Sequence, residues 1–269
     1  MTRLFVDTHC HFDFPPFIDA MDESLASASS AGISDIIIPT VSVDNFERVW
    51  QLAHSYSQLH AAMGFHPLYL NRFQEQHFES LLFYLTQHST KCVAIGEIGL
   101  DLYMQDPLFE LQQKILIEQL KLAKRFDLPV ILHSRKSHDQ LVAILRRYLV
   151  PACGVVHGFA GSLSQAQAFI KLGYFIGVGG TITYERANKT RQAIAQLPLT
   201  SLVFETDAPD MPVSGFQGEP NRPERIQIIF KSLCELRHES PDEIAEQLYI
   251  NSLSLFKLDS SYSKLQGED

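Results

Sequence analysis

The sequence predicts an α/β protein built as a single (β/α)8 barrel of the TIM type, and three observations point there. Eight short apolar, β-branched runs recur along the 269 residues. Longer amphipathic stretches separate them, as helical crossovers between parallel strands require. Histidines and carboxylates gather at the C-terminal ends of the runs, the face where barrels of this kind place their chemistry.

In chain order the runs are Leu4–Val6, Asp35–Ile38, His60–Met63, Val93–Ile98, Pro129–Leu132, Gly154–Val156, Tyr174–Val178 and Ser201–Phe204. Pro129 opens its run, where a missing N–H is tolerated. Between them, Phe78–Leu85, Glu110–Phe126, Leu141–Leu149 and Ala166–Leu172 carry helical periodicity. Glu110–Phe126 is the clearest: Leu111, Ile115, Leu116, Leu120 and Ala123 form one stripe. Lys124 and Arg125 suit its C-terminus. Gly32 and Gly173 each fall just before a run, where helix C′ glycines belong. Two more helices come after the eighth run, about Pro223–Arg237 and Pro241–Phe256. Ser240 is the expected N-cap of the second, with Pro241-Asp242-Glu243 as its first turn. An open doubly wound sheet would carry a Gly-rich phosphate loop after its first strand. Thr8-His9-Cys10-His11 is not one, and Gly177, Gly179 and Gly180 lack the required spacing. With no linker or low-complexity segment, residues 1–257 are read as one domain and 258–269 as a polar, disordered tail.

Composition bounds the function. Hydrophobic residues make up 45%, with 18 Phe and 9 Tyr, ample for a sizeable core. The 31 acidic and 22 basic residues leave a net charge of -9. Such a chain is a poor non-specific partner for nucleic acid or anionic lipid. Bound divalent cations would offset that charge locally, so a phosphate substrate stays open. The four cysteines, Cys10, Cys92, Cys153 and Cys234, form no CxxC and read as free thiols in a reducing compartment. No signal-peptide pattern and no apolar stretch of transmembrane length is present. A cytoplasmic protein with no membrane association, acting as a monomer, is the expectation.

His9 and His11 come after the first run, and residues two apart on a strand share a face. Cys10 then faces the other way, as a small buried residue. His66 lies after the third run. Glu97 and Asp101 end the fourth, His133 and Arg135 the fifth, His157 the sixth, and Asp207 the eighth. Singly, each has an ordinary explanation: a rim histidine, a mouth salt bridge, a helix N-cap, a turn. Jointly, five of the 11 histidines at strand ends ask for a shared cause. His9, His11, Glu97, His133, His157 and Asp207 supply four imidazoles and two carboxylates. That exceeds the needs of one catalytic zinc and suits two metal ions sharing a carboxylate. Mixed N/O ligation fits zinc, manganese or another divalent ion, magnesium included, and selects none of them.

These residues resemble the TatD family of metal-dependent hydrolases, in the amidohydrolase-like barrel group, and within it a YjjV-like branch. Six ordered blocks carry the resemblance across nearly the whole chain: Asp7-Thr8-His9-Cys10-His11, Gly64-Phe65-His66-Pro67, Gly96-Glu97-Ile98-Gly99-Leu100-Asp101, His133-Ser134-Arg135, His157-Gly158-Phe159 and Glu205-Thr206-Asp207-Ala208-Pro209. The resemblance implies that His9, His11 and Asp207 hold one metal, that His133 and His157 hold a second, and that Glu97 bridges them. It also implies phosphodiesterase or deoxyribonuclease activity. The family commonly carries a basic stretch before an Asn-x-Pro. Here residues 215–223 contain only Arg222, opposed by Glu219, which argues against tight polynucleotide binding.

The leading expectation is hydrolysis of a phosphoester by a two-metal-activated water, on nucleic acid or a small phosphoester. Asp207 is its proton acceptor and Glu97 its second catalytic carboxylate. His66 and Arg135 are candidate contacts to substrate oxygens, the Arg for its fork of donors. The same centre acting on a small-molecule amide, lactone or C–N bond is the alternative. A non-enzymatic binding scaffold predicts degenerate ligand positions, and none is degenerate.

Overall fold

The computed structural model of the chain describes residues 3–258. Residues 259–269 of the expected polar tail therefore lie outside the described residues. Eight parallel strands form one sheet in sequential order: β1 (Phe5–Asp7), β2 (Ile33–Pro39), β3 (Leu59–Ala62), β4 (Cys92–Asp101), β5 (Val130–Arg135), β6 (Gly154–Val156), β7 (Phe175–Val178) and β8 (Leu202–Phe204). The sheet curls until its last strand meets its first. The Thr8 amide and hydroxyl both donate to the Phe204 carbonyl, at 3.0 and 2.8 Å. Cys10 then bridges Ala208 beyond the strand ends.

Among the described residues, nine α-helices lie between and after the strands: α1 (Met21–Ser30), α2 (Val43–Ser55), α3 (His77–Leu85), α4 (Phe109–Phe126), α5 (His138–Arg147), α6 (Leu163–Ile170), α7 (Asn188–Gln196), α8 (Ile226–Leu236) and α9 (Pro241–Phe256). α9 begins as its sequence predicts, with Ser240 and Glu243 in a reciprocal capping box. Gly32 and Gly173 hold φ of +85° and +90° at helix ends, where a side chain would be strained. The segment expected as one helix from Pro223 starts instead with a 3-10 turn, Pro223–Arg225.

α1, α2 and α7 lie outside the segments that periodicity marks. In α1 and α7 the buried face is built mostly of small residues, Ser24 and Ala28 in one, Thr190 and Ala193 in the other. The hydropathy contrast along α1 is therefore weak. α2 buries a polar residue, Asn45, whose amide group donates to Asp13 and accepts from the Val41 amide.

Two strands run three residues past their expected ends. Gly99, Leu100 and Asp101 of β4 pair with His133, Ser134 and Arg135 of β5. Mutual hydrogen bonding extends both strands through polar sequence that hydropathy reads as loop.

Packing separates into two clusters. Ile37, Ala62, Val93, Ala94, Ile131, Val155 and Val203, from six strands, gather with Leu255 and Phe256 of α9. Their strand neighbours, such as Ile36, Ile38, Val130 and Leu132, belong to the larger cluster shared with the helices. This alternation is that of a barrel with a packed interior. At the seam, Phe5, Phe204 and Phe230 pack edge to face with centroids 5.3–6.1 Å apart. No helix of the described residues is long and apolar enough to cross a membrane.

Phe5→Ala opens a cavity where β1, β8 and α8 meet, and should cost about 3–5 kcal/mol in urea unfolding. A loss below about 1 kcal/mol would show that the seam does not depend on this packing.

Candidate metal centre

The polar residues at the strand ends converge on the floor of a cavity of about 810 Å³. β1 stops at Asp7, which organises the chain on both sides of the seam. Its buried carboxylate accepts the Thr206 amide at 2.9 Å, the Thr206 hydroxyl at 2.5 Å and the His9 amide at 3.3 Å. Across the same seam the Asp207 amide donates to the His9 carbonyl at 2.9 Å. These ties set His9 and His11 against Asp207. The Asp207 carboxylate lies 3.4 and 3.8 Å from their Nε2 atoms.

Glu97 reaches the centre through an irregularity in β4. Ile95 pairs with Val130 and Ile98 with Leu132, so β4 carries one more residue than β5 over this span. An inserted residue of this kind bends a strand and re-aims a side chain. Gly96 is required beside it, since a Cβ there would lie 2.7 Å from Cβ of Ile131. Glu97 then meets five imidazoles. Its Oε2 lies 3.1 Å from His9 and 3.7 Å from His11. Its Oε1 lies 3.0, 2.8 and 2.6 Å from His66, His133 and His157.

Burial and this crowding set the charges. Burial raises the cost of ionising Glu97, yet His157, His66 and His9 overcome it and hold the carboxyl well below its ordinary range. Burial, reinforced by His157, keeps His9 well below the usual imidazole value. Burial also presses His157 down, but Glu97 more than reverses it and pushes the ring up to about 10. Burial takes His66 down to about 4 against the pull of Glu97. Burial pushes Asp207 up to about 6, with His157 and His11 opposing.

The chain's residues fit a metal ion. Three groups, His9–His11–Asp207, His9–Glu97–His157 and His66–Glu97–His133, each bring ligand atoms within 4.8 Å of one another. Ring nitrogens of His9 and His11 face each other at 3.4 Å, and those of His133 and His157 at 3.3 Å. Convergent imidazole lone pairs with carboxylates and no thiolate are a donor set for a borderline divalent cation. His66, expected as a substrate contact, sits within this set, with Nε2 3.2 Å from His133 Nδ1. Its Nδ1 also accepts the Leu68 amide and starts the 3-10 turn Pro67–Arg72.

Three supporting carboxylates were not among the expected site residues. Asp7 is one. Asp101 is the second: its Oδ2 lies 3.1 Å from His133 Nε2, which leaves Nδ1 facing Glu97. A carboxylate behind a ligand histidine fixes its tautomer and orientation. Glu205 is the third. Its Oε1 accepts the Gly158 amide at 2.5 Å, and burial pushes it up to about 8. A Cβ on Gly177 would lie 2.4 Å from its Oε2. Gly177 within the seventh run and Gly179 just after it therefore make room for a carboxyl. Asp7 and Glu205 lie two residues before His9 and Asp207, a spacing that could have marked them.

Arg135 ends β5 at the cavity wall, stacked 4.0 Å from the centroid of Tyr103. It has no carboxylate in ion-pair range among the described residues. In the loop after β8, Arg222 pairs with Glu224, and Glu219 pairs with Arg225 at 2.8 Å. Both cations of that loop are thus neutralised, Glu219 opposing Arg225 rather than Arg222. Asn221 is buried and holds the loop by donating to the Thr206 and Met211 carbonyls.

Residues 6–257 match the family model described as TatD related DNase. The chain belongs to the TatD family. It is 57% identical over 254 residues to an uncharacterized metal-dependent hydrolase, YjjV, of Escherichia coli K12, covering 94% of this chain and 98% of the relative. A Danio rerio protein named as a putative deoxyribonuclease is 29% identical over 269 residues, with 95% and 98% covered. The crystal structure of YjjV, a TatD homolog from E. coli, superposes with a TM-score of 0.94 at 56% identity, covering 96% of this chain and 100% of that one. This TatD-family chain is thus a metal-dependent hydrolase on a TIM barrel.

The supporting carboxylates can be tested separately. Asp101→Asn weakens the hold on His133 and should lower metal affinity about 10–100-fold in equilibrium dialysis. Unchanged affinity removes Asp101 from the centre. In the metal-free protein, the Glu205 carboxyl is raised from 4.5 to about 8. Its contribution to stability is complete below the unfolded value and is lost as pH rises through the folded one. Chelator-treated protein should lose up to about 1.4 kcal/mol per pH unit from this group over that window. Glu205→Gln should remove that component, read as a flatter dependence of the urea midpoint on pH.

Proposed function

We propose that this centre hydrolyses phosphodiester bonds with two divalent ions, as a phosphodiesterase or deoxyribonuclease. One observation carries the two-ion part. The two oxygens of Glu97 are divided between separate imidazole sets, His9 and His11 on Oε2, and His66, His133 and His157 on Oε1. A carboxylate so divided suits a bridge between two cations. The phosphodiester part draws on the family model's description and on the Danio rerio relative's name.

When bound here, divalent ions supply a water of lowered pKa and offset negative charge on the phosphate. His9, His11 and Asp207 would hold one ion, His133 and His157 the other, with Glu97 between and His66 a further candidate. Of the two carboxylates Asp207 is the one open to the cavity, 16% exposed against 2% for Glu97, which places it to accept the proton of the attacking water. The proton it takes is then available to the departing alkoxide. Four unpaired thiols support a reducing, cytoplasmic setting.

A second reading keeps the centre and changes the bond to a small amide, lactone or C–N bond. The neutralised cations of the loop after β8 favour it, because they offer little to a long polyanion.

A panel of phosphodiesters, amides and lactones, with added manganese or zinc, decides between them. Phosphodiesters should be turned over fastest, and Asp207→Ala should lose about 10²–10⁴-fold in kcat with the fold intact by circular dichroism. Near-normal turnover in that variant would sink the assignment. Uptake of one equivalent of metal instead of two would remove the second ion.

A further inference from the structure

We propose that Arg135 and Lys136 form a second anion subsite, which binds a phosphate adjoining the scissile one, so that the preferred substrate is a short oligonucleotide with at least two phosphates. The inference rests on the phosphodiesterase reading and gives it a substrate class.

Both residues line the metal cavity. Strand alternation puts Arg135 on the same face of β5 as His133, which also lines the cavity. Lys136 comes next with φ of +54°, a left-handed kink that turns the chain back. The result is two cations on one ring: Arg135 stands 4.0 Å and Lys136 4.3 Å from the centroid of Tyr103. The Tyr103 main chain is anchored, since its amide donates to Asp101 at 2.8 Å. The same Asp101 orients His133. One carboxylate thus sets both the metal ligand and the cation support.

Adjacent like charges repel, and the ring face offsets that repulsion only in part. Neither cation has a carboxylate in ion-pair range among the described residues, in a chain with 31 acidic and 22 basic residues. By contrast, Arg222 and Arg225 of the β8 loop are each paired. Among the described residues that line the cavity, free positive charge therefore stands on the β5 side, while Asp210 lines the β8 side. A scissile phosphodiester carries one negative charge, which the metal-loaded floor is equipped to meet. The β5 pair is surplus to that need and suits another phosphate, the fork of Arg135 and the point charge of Lys136 sharing its oxygens. The cavity, about 810 Å³, has the capacity for more than one nucleotide unit.

The test uses metal-loaded protein and three thymidine dinucleotides: the unphosphorylated one, and its 5′- and 3′-phosphorylated forms. One phosphorylated form should show kcat/KM about tenfold higher, carried by KM. Lys136→Ala should bring that ratio to about one, and Lys136→Arg should restore it. Calorimetry with the matching methylenephosphonate analogues, which resist cleavage at the bridging position, should show the same ratio in Kd. A structural role for Lys136 would not move a ratio between two ligands. Equal values for all three substrates, or a ratio that survives Lys136→Ala, overturns the subsite and leaves phosphodiester hydrolysis standing. If none of the three is hydrolysed, the phosphodiesterase reading fails, and the calorimetric ratio alone upholds or overturns the subsite.

Discussion

Glu97 is the interaction on which this molecule turns. A single carboxylate, 1% exposed, meets imidazoles delivered from the ends of four strands. Burying such a group alone would cost several kcal/mol. It is tolerable only because every neighbour compensates it, and every neighbour arrives there by barrel closure. Remove the β4 irregularity and Glu97 would take the ordinary alternation of its strand. The five imidazoles would then crowd together without the anion between them.

Closure and chemistry are the same structural act at the β1–β8 seam. The Asp7 carboxylate ties His9 to Thr206, and the His9 carbonyl takes the Asp207 amide. The bonds that finish the barrel also set the distance between His9, His11 and Asp207. Around them stand carboxyls that burial raises, Asp7 to about 7 and Glu205 to about 8. A protonated carboxyl can donate as well as accept, and it adds no charge to a floor already dense with it. Gly177 of β7 and Gly179 beyond it permit this by leaving Glu205 a cradle.

The cavity above the centre is electrically lopsided. Its β5 side carries unpaired cations propped on Tyr103, and its β8 side carries Asp210 and a loop whose arginines are neutralised. An acidic protein of this kind has little general attraction for a polyanion. In the phosphodiesterase we propose, local placement of charge, together with divalent ions, would draw the phosphate ester and limit how much of a chain the cavity holds.

Much was legible in the sequence because it depends on local periodicity. Eight apolar runs, the stripe of α4, the N-cap at Ser240 and the glycines at 32 and 173 are rules of one strand or one helix. The histidines at strand ends were legible because parallel topology sends all those ends to one face. The β4 irregularity, the extension of β4 and β5 through polar residues, and the helices with small buried faces were not. Each depends on a partner distant in the chain. The division of Glu97 between two imidazole sets, the role of Asp101 behind His133, and the pairing of Lys136 with Arg135 on one ring are of the same kind. Residue order alone shows which side chains offer metal-ligand atoms and on which face of the barrel they stand. Their distances, their charge states and which cations stay free come from the folded molecule, because burial and neighbours from other strands set those quantities.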